Sequence, residues 1–170
     1  MLQHYRRFAA YNAWANDLVY AAAAELPDED YRRELGAFFP SVHATLNHVL
    51  YADGVWMTRF AGQDTGPVLL DTILFEDFQM LKAAREEMDR KIIGFIGGLD
   101  SVEGTFSYRR GNPPQPYTDR LGTTLAHFFN HQTHHRGQVH MMLTMLGRPS
   151  LTLDMSYFLR TPEGRALADA

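Results

Sequence analysis

Residues 121–140 run Leu121-Gly122-Thr123-Thr124-Leu125-Ala126-His127-Phe128-Phe129-Asn130-His131-Gln132-Thr133-His134-His135-Arg136-Gly137-Gln138-Val139-His140. The stretch reads as a long amphipathic helix. Thr123 or Thr124 is the expected cap, and Gly147 before Arg148-Pro149 is the expected end. On a wheel of about 100° per residue with His127 at the origin, Phe128 and Leu146 fall at about 100°, Leu121 and Val139 at about 120°, and Leu125 and Leu143 at about 160°. An apolar stripe of that width has to be covered by other helices.

Three further helical patterns supply the cover. Leu2, Tyr5, Ala9, Trp14, Leu18 and Ala22 recur at helical spacing in an alanine-rich run over 3–25. Pro40-Ser41 opens a second run in which Val42, Leu46, Val49, Trp56 and Phe60 share a face, and Gly62 stops it. A third pattern spans 75–96, with Phe78, Leu81, Met88, Ile92 and Phe95 as its buried face. Lys82, Arg85, Glu86, Glu87, Asp89 and Arg90 read as its solvated side. Between the third and fourth helices, Thr105–Tyr108 and Tyr117–Leu121 flank the turn Gly111-Asn112-Pro113-Pro114 as a small hairpin. Residues 28–39 read as loop, 154–159 as one packed turn, and the tail after Thr161 as frayed. The expected fold is all-α: a four-helix bundle with a hairpin-like insertion before the last long helix, one domain over 1–170.

Composition narrows the function classes. The 170 residues carry 16 basic and 20 acidic side chains, a net charge of -4. A negative chain without a basic run is a poor binder of phosphate backbones, so nucleic acid is not an expected partner. No segment has the roughly 18 uninterrupted apolar residues of a membrane span, and the first eight residues lack the apolar run of a signal peptide. Cytoplasm is the expected compartment. Cysteine is absent, whereas histidine occurs eight times. That excludes disulfides, a thiolate metal site and a cysteine nucleophile.

Four of the histidines lie between 127 and 135. On the wheel His131 falls at about 40° and His135 at about 80°, bordering the apolar stripe, while His127 and His134 sit further round. Two imidazoles at i, i+4 share one face and can hold one ion. Packing against the core is the competing reading, and both remain open on spacing alone. His134 reads as solvated, and His140 lies on another side. A metal site needs a further ligand, and the second helix offers His48, mid-helix among apolar neighbours. His43, beside the cap, reads as exposed. Asp53 shares the apolar face and needs a partner, either a metal-bound histidine's free N–H or an ion pair.

Three motifs resemble the DinB/YfiT-like family of metal-associated proteins, the damage-inducible DinB and not the polymerase of similar name. They are Tyr11-Asn12-Ala13-Trp14-Ala15-Asn16, Leu46-Asn47-His48-Val49-Leu50-Tyr51-Ala52-Asp53, and Asn130-His131-Gln132-Thr133-His134-His135-Arg136-Gly137-Gln138. The last is the most specific. The resemblance spans nearly the whole chain. It implies a four-helix bundle, commonly a homodimer, with one divalent metal held by His48, His131 and His135. Relatives bind zinc or nickel, with iron or manganese as further options. They include thiol-dependent S-transferases and a mycothiol-dependent maleylpyruvate isomerase.

The leading functional expectation is a metal-dependent thiol S-transferase. A low-molecular-weight thiol from outside the protein would act on a small electrophilic substrate, with Arg136 and Arg59 as candidate anion contacts and Gln138 facing either site or solvent. One alternative is a metal-dependent hydrolase with Asp53 as general base. Another is a non-catalytic metal-binding stress-response module with a closed site completed by His127 or a carboxylate.

Overall fold

The computed structural model describes residues 1–168. Side-chain caps open two of the four long helices. The helix α1 spans Leu2–Ala23, the short α2 spans Asp28–Arg32, and α3 spans Val42–Phe60. Ser41 Oγ accepts the Ala44 N–H and so caps α3. The helix α4 spans Phe78–Gly97, capped by Asp77, whose carboxylate accepts the Met80 N–H. Strands β1 (Thr105–Arg110) and β2 (Gln115–Arg120) pair antiparallel, Tyr108 opposite Tyr117. The helix α5 spans Leu121–Met145, and α6 (Met155–Phe158) and α7 (Pro162–Ala168) follow.

The chain is helix-dominated, with seven helices and one two-stranded sheet among the described residues. Packing of the long helices closes a ring: α1 on α4, α4 on α3, α3 on α5, and α5 back on α1. Two apolar clusters fill it. One joins Val19, Leu46, Leu50, Leu81 and Leu143; the other joins Ile92, Ile96, Leu125, Phe128 and Phe129. A third, outside the ring, seats Phe158 of α6 against Ala15 and Tyr11 of α1.

Several expectations need correction. The helix α5 begins at Leu121, directly after β2, with no side-chain cap. The Leu121 and Gly122 N–H groups instead donate to the carbonyls of Gly104 and Val102, so the hairpin itself satisfies the helix start. Residues 28–39 contain α2, which seats Tyr31 in the core. The tail after Thr161 is helical as far as it is described, while Asp169 and Ala170 lie outside the described residues. Thr161 Oγ1 accepts the Gly164 N–H, Pro162 begins the helix, and Arg7 of α1 donates to the Leu167 and Ala168 carbonyls. A Cβ at Gly164 would collide with the Phe158 carbonyl, so the close turn from α6 to α7 requires glycine there.

Candidate metal centre

His48 lies mid-way along α3, and His131 and His135 lie one turn apart on the face of α5 that meets it. The His131 and His135 ring centroids are 4.4 Å apart; His48 is 4.6 Å from His135 and 5.5 Å from His131. One ring nitrogen of each lies within 4.8 Å of the others. Nitrogens about 2.1 Å from a tetrahedral zinc stand about 3.4 Å apart. The three side chains therefore fit a divalent ion with small rotamer adjustments.

Hydrogen bonds fix which nitrogen faces inward. Nδ1 of His48 donates to the Leu70 carbonyl at 3.0 Å, which leaves Nε2 with its lone pair free. Nδ1 of His135 donates to Gln138 Oε1 at 2.7 Å, and its Nε2 lies 3.1 Å from Nε2 of His131. Such outward donation orients a metal-ligating imidazole and raises its basicity. Phe39 stacks on the His48 ring at 3.8 Å and meets the His135 ring edge-on.

The segment that carries the Leu70 carbonyl is held by two neighbours of His48 on α3. Asn47 Oδ1 accepts the N–H groups of Leu74 and Phe75, and Asn47 Nδ2 donates to the Phe75 carbonyl. Tyr51 Oη accepts the Leu69 N–H. These bonds tie the 61–77 connection down onto α3. The sequence reading attached no role to Asn47 or Tyr51. Their i−1 and i+3 spacing from His48 was the available signal.

Burial disfavours the imidazolium forms. Desolvation, with repulsion from the neighbouring rings, pushes His131 down to about 3. Desolvation first, then the neighbouring His48 and His134, brings His135 to about 4. His48 is lowered by burial, against the pull of the Leu70 carbonyl. All three are neutral lone-pair donors at neutral pH.

The other histidines stand apart. His127 is exposed, 6.0 Å from His131 by ring centroid, and packs edge-on against Trp56. His134 is exposed beside His135. His43 is buried, contrary to expectation, because α2 covers it: its Nδ1 lies 3.2 Å from Tyr31 Oη. His140 Nε2 accepts the Leu151 N–H.

The DinB family profile matches residues 1–165. The chain belongs to the DinB family. Protein DinB of Bacillus subtilis (strain 168) is 28% identical over 162 aligned residues, covering 88% of this chain and 90% of that protein.

The DinB-like motifs of this chain do not all converge on the histidines. Asp53 is fully buried, and its Oδ2 accepts from Arg85 at 2.5 Å; its Oδ1 has no hydrogen-bond partner. Arg85 also donates twice to Asp89, and Asp89 accepts from Asn12 and Asn16. The same two asparagines offer their oxygens to Arg136, which also lies over the Tyr11 ring at 5.3 Å. Asp53 and Arg136 thus belong to a buried network spanning all four long helices. Arg85 and Asp89 were expected in solvent and are its centre. Burial raises the Asp53 pKa, against the attraction of Arg85.

Proposed function

We propose that this DinB-family chain is a four-helix-bundle metalloprotein, with one divalent ion, zinc or nickel first, held by His48, His131 and His135, and that it transfers a low-molecular-weight thiol to a small electrophile. The observation that carries the reading is the set of three inward-facing imidazoles with no carboxylate in the cluster. The closed ring of helix contacts supports the bundle.

Three neutral ligands contribute no negative charge, and His127, the expected fourth, stands away from the cluster. Such a site keeps positions open. An ion bound there supplies a Lewis acid that lowers the pKa of a coordinated thiol or water. Within the chain, Gln138 and the Leu70 carbonyl fix the ring orientations, and Phe39 shields one side of His48. With no cysteine in the sequence, the sulfur nucleophile comes from solution.

Water attack is the weaker reading. It asked Asp53 to act as base, and that carboxylate is paired with Arg85 and makes no hydrogen bond to the histidines. The homodimer implied by the family resemblance, and the cytoplasmic location expected from the sequence, remain part of the proposal. Among the described residues no helix is long and apolar enough to cross a membrane.

The test is an assay of zinc- or nickel-loaded protein with chlorodinitrobenzene and a panel of small thiols. Thiol consumption that disappears on chelation, and in His131→Ala, is expected. Absence of metal-dependent consumption with every thiol would remove the transferase reading.

A further inference from the structure

Arg59, in the last turn of α3, is only 7% exposed, yet its guanidinium has no acceptor. The guanidinium carbon lies 4.7 Å from the Trp56 ring centroid and 5.2 Å from that of Tyr108. Its Nε is buried without a hydrogen-bond partner, and no ion pair among the described residues includes it. The nearby acid Asp119 is engaged elsewhere, accepting from Tyr108 Oη at 2.7 Å. The other buried arginines, Arg85 and Arg136, each donate to several side chains.

Stacking on two aromatic faces offsets part of the cost of burying a guanidinium, but it leaves the N–H fork unused. A carboxylate is a small planar group that matches such a fork in a bidentate manner. Position adds the second argument. The ring that carries Arg59 on its face also meets His127, at 5.2 Å, and His127 neighbours His131. Trp56 and His131 are half-buried and His127 is exposed, so the row of rings that runs from Arg59 toward the histidine cluster borders solvent.

We propose that Arg59 is the anion-recognition residue of this site, binding the carboxylate of a small substrate whose reactive end lies toward His131. The inference rests on the reading of the histidine cluster as a reaction centre. The carboxylate belongs either to the electrophile or to the thiol, and the two sources share the same recognition chemistry.

Calorimetric titration of zinc-loaded full-length protein separates them. One pair of probes is 4-nitrobenzoate and its methyl ester; the other is N-acetylcysteine and its amide. The acid of at least one pair is expected to bind about 10- to 100-fold more tightly than its neutral partner. Arg59→Gln abolishes that preference while retaining zinc, and Arg59→Lys, which keeps charge but loses the planar fork, keeps part of it. If Arg59→Gln does not fold, the reduced preference in Arg59→Lys carries the test. Equal binding of acid and neutral probe in both pairs, or a preference unchanged by the substitutions, overturns the proposal. Neither outcome depends on turnover, so failure of the transferase reading is recorded separately.

Discussion

Where α1, α3, α4 and α5 meet through Asn12, Asn16, Asp53, Arg85, Asp89 and Arg136, charged and amide donors face acceptors; where α3 meets α5 through His48, His131 and His135, neutral ring nitrogens converge with no charged partner among them. The first cluster is buried throughout, and the second is half open at His131. In the first, Arg85 and two asparagines answer two carboxylates, with opposite charges in contact, and Arg136 donates to the asparagine oxygens. In the second, two of the rings spend their Nδ1–H groups outward, on Leu70 and Gln138, and keep their Nε2 atoms inward. The network is largely complete within the chain and serves to register the four helices. The histidines are the donor set proposed above for a cation from outside.

Removing one partner from each cluster in metal-free protein should have very different consequences. Arg85→Leu leaves Asp53 and Asp89 buried without their cation and is expected to cost about 3–5 kcal/mol. His131→Leu removes one neutral ring from among like neighbours and should change stability by no more than about 1 kcal/mol. Urea unfolding of the two variants measures both. Similar losses would mean that the histidines are structural in the same sense as the network.

A smaller effect sharpens the same contrast. His131 and His135 are held at about 3 and about 4 in the folded chain, below the 6.5 of an unperturbed imidazole. Between those values the unfolded chain binds more protons than the folded one. Metal-free protein is therefore expected to keep the histidines' full contribution above about pH 6.5 and to lose stability as the pH falls toward 4. Denaturant midpoints at pH 7 and pH 5 should fall less in the His131→Leu, His135→Leu double variant than in the parent. An equal fall in both would assign the pH dependence to other groups.

Much of this was legible in the sequence because helical periodicity records burial directly. The long helices appeared at nearly their observed bounds, the hairpin at its turn, and the histidines at i, i+4 beside the apolar stripe. What escaped was polar burial. Residue type led Arg85 and Asp89 to be read as solvated, although on the α4 wheel they lie at about 40° and 80° from Leu81, beside Ile92 and Ile96. Gln132 falls in the middle of the α5 stripe by the same arithmetic and is fully buried. In each case spacing carried the answer and hydropathy concealed it. Asp53 was recognised as needing a partner, but its partner lies on another helix, and no local pattern encodes a contact between α3 and α4. The same holds for the tie between Asn47 and the 61–77 connection, and for His43, whose cover by α2 depends on a five-residue helix too short to show periodicity.

The central claim is that the three imidazoles form a metal site, and metal stoichiometry tests it most directly. Protein purified without a polyhistidine tag would be analysed for metal before and after incubation with zinc or nickel and removal of excess, alongside His48→Ala, His131→Ala and His135→Ala. About one ion per chain in the parent, lost in each variant while the fold persists, is the predicted result. A small fraction of one ion per chain, with no uptake of either metal, or uptake that survives all three substitutions, would contradict it.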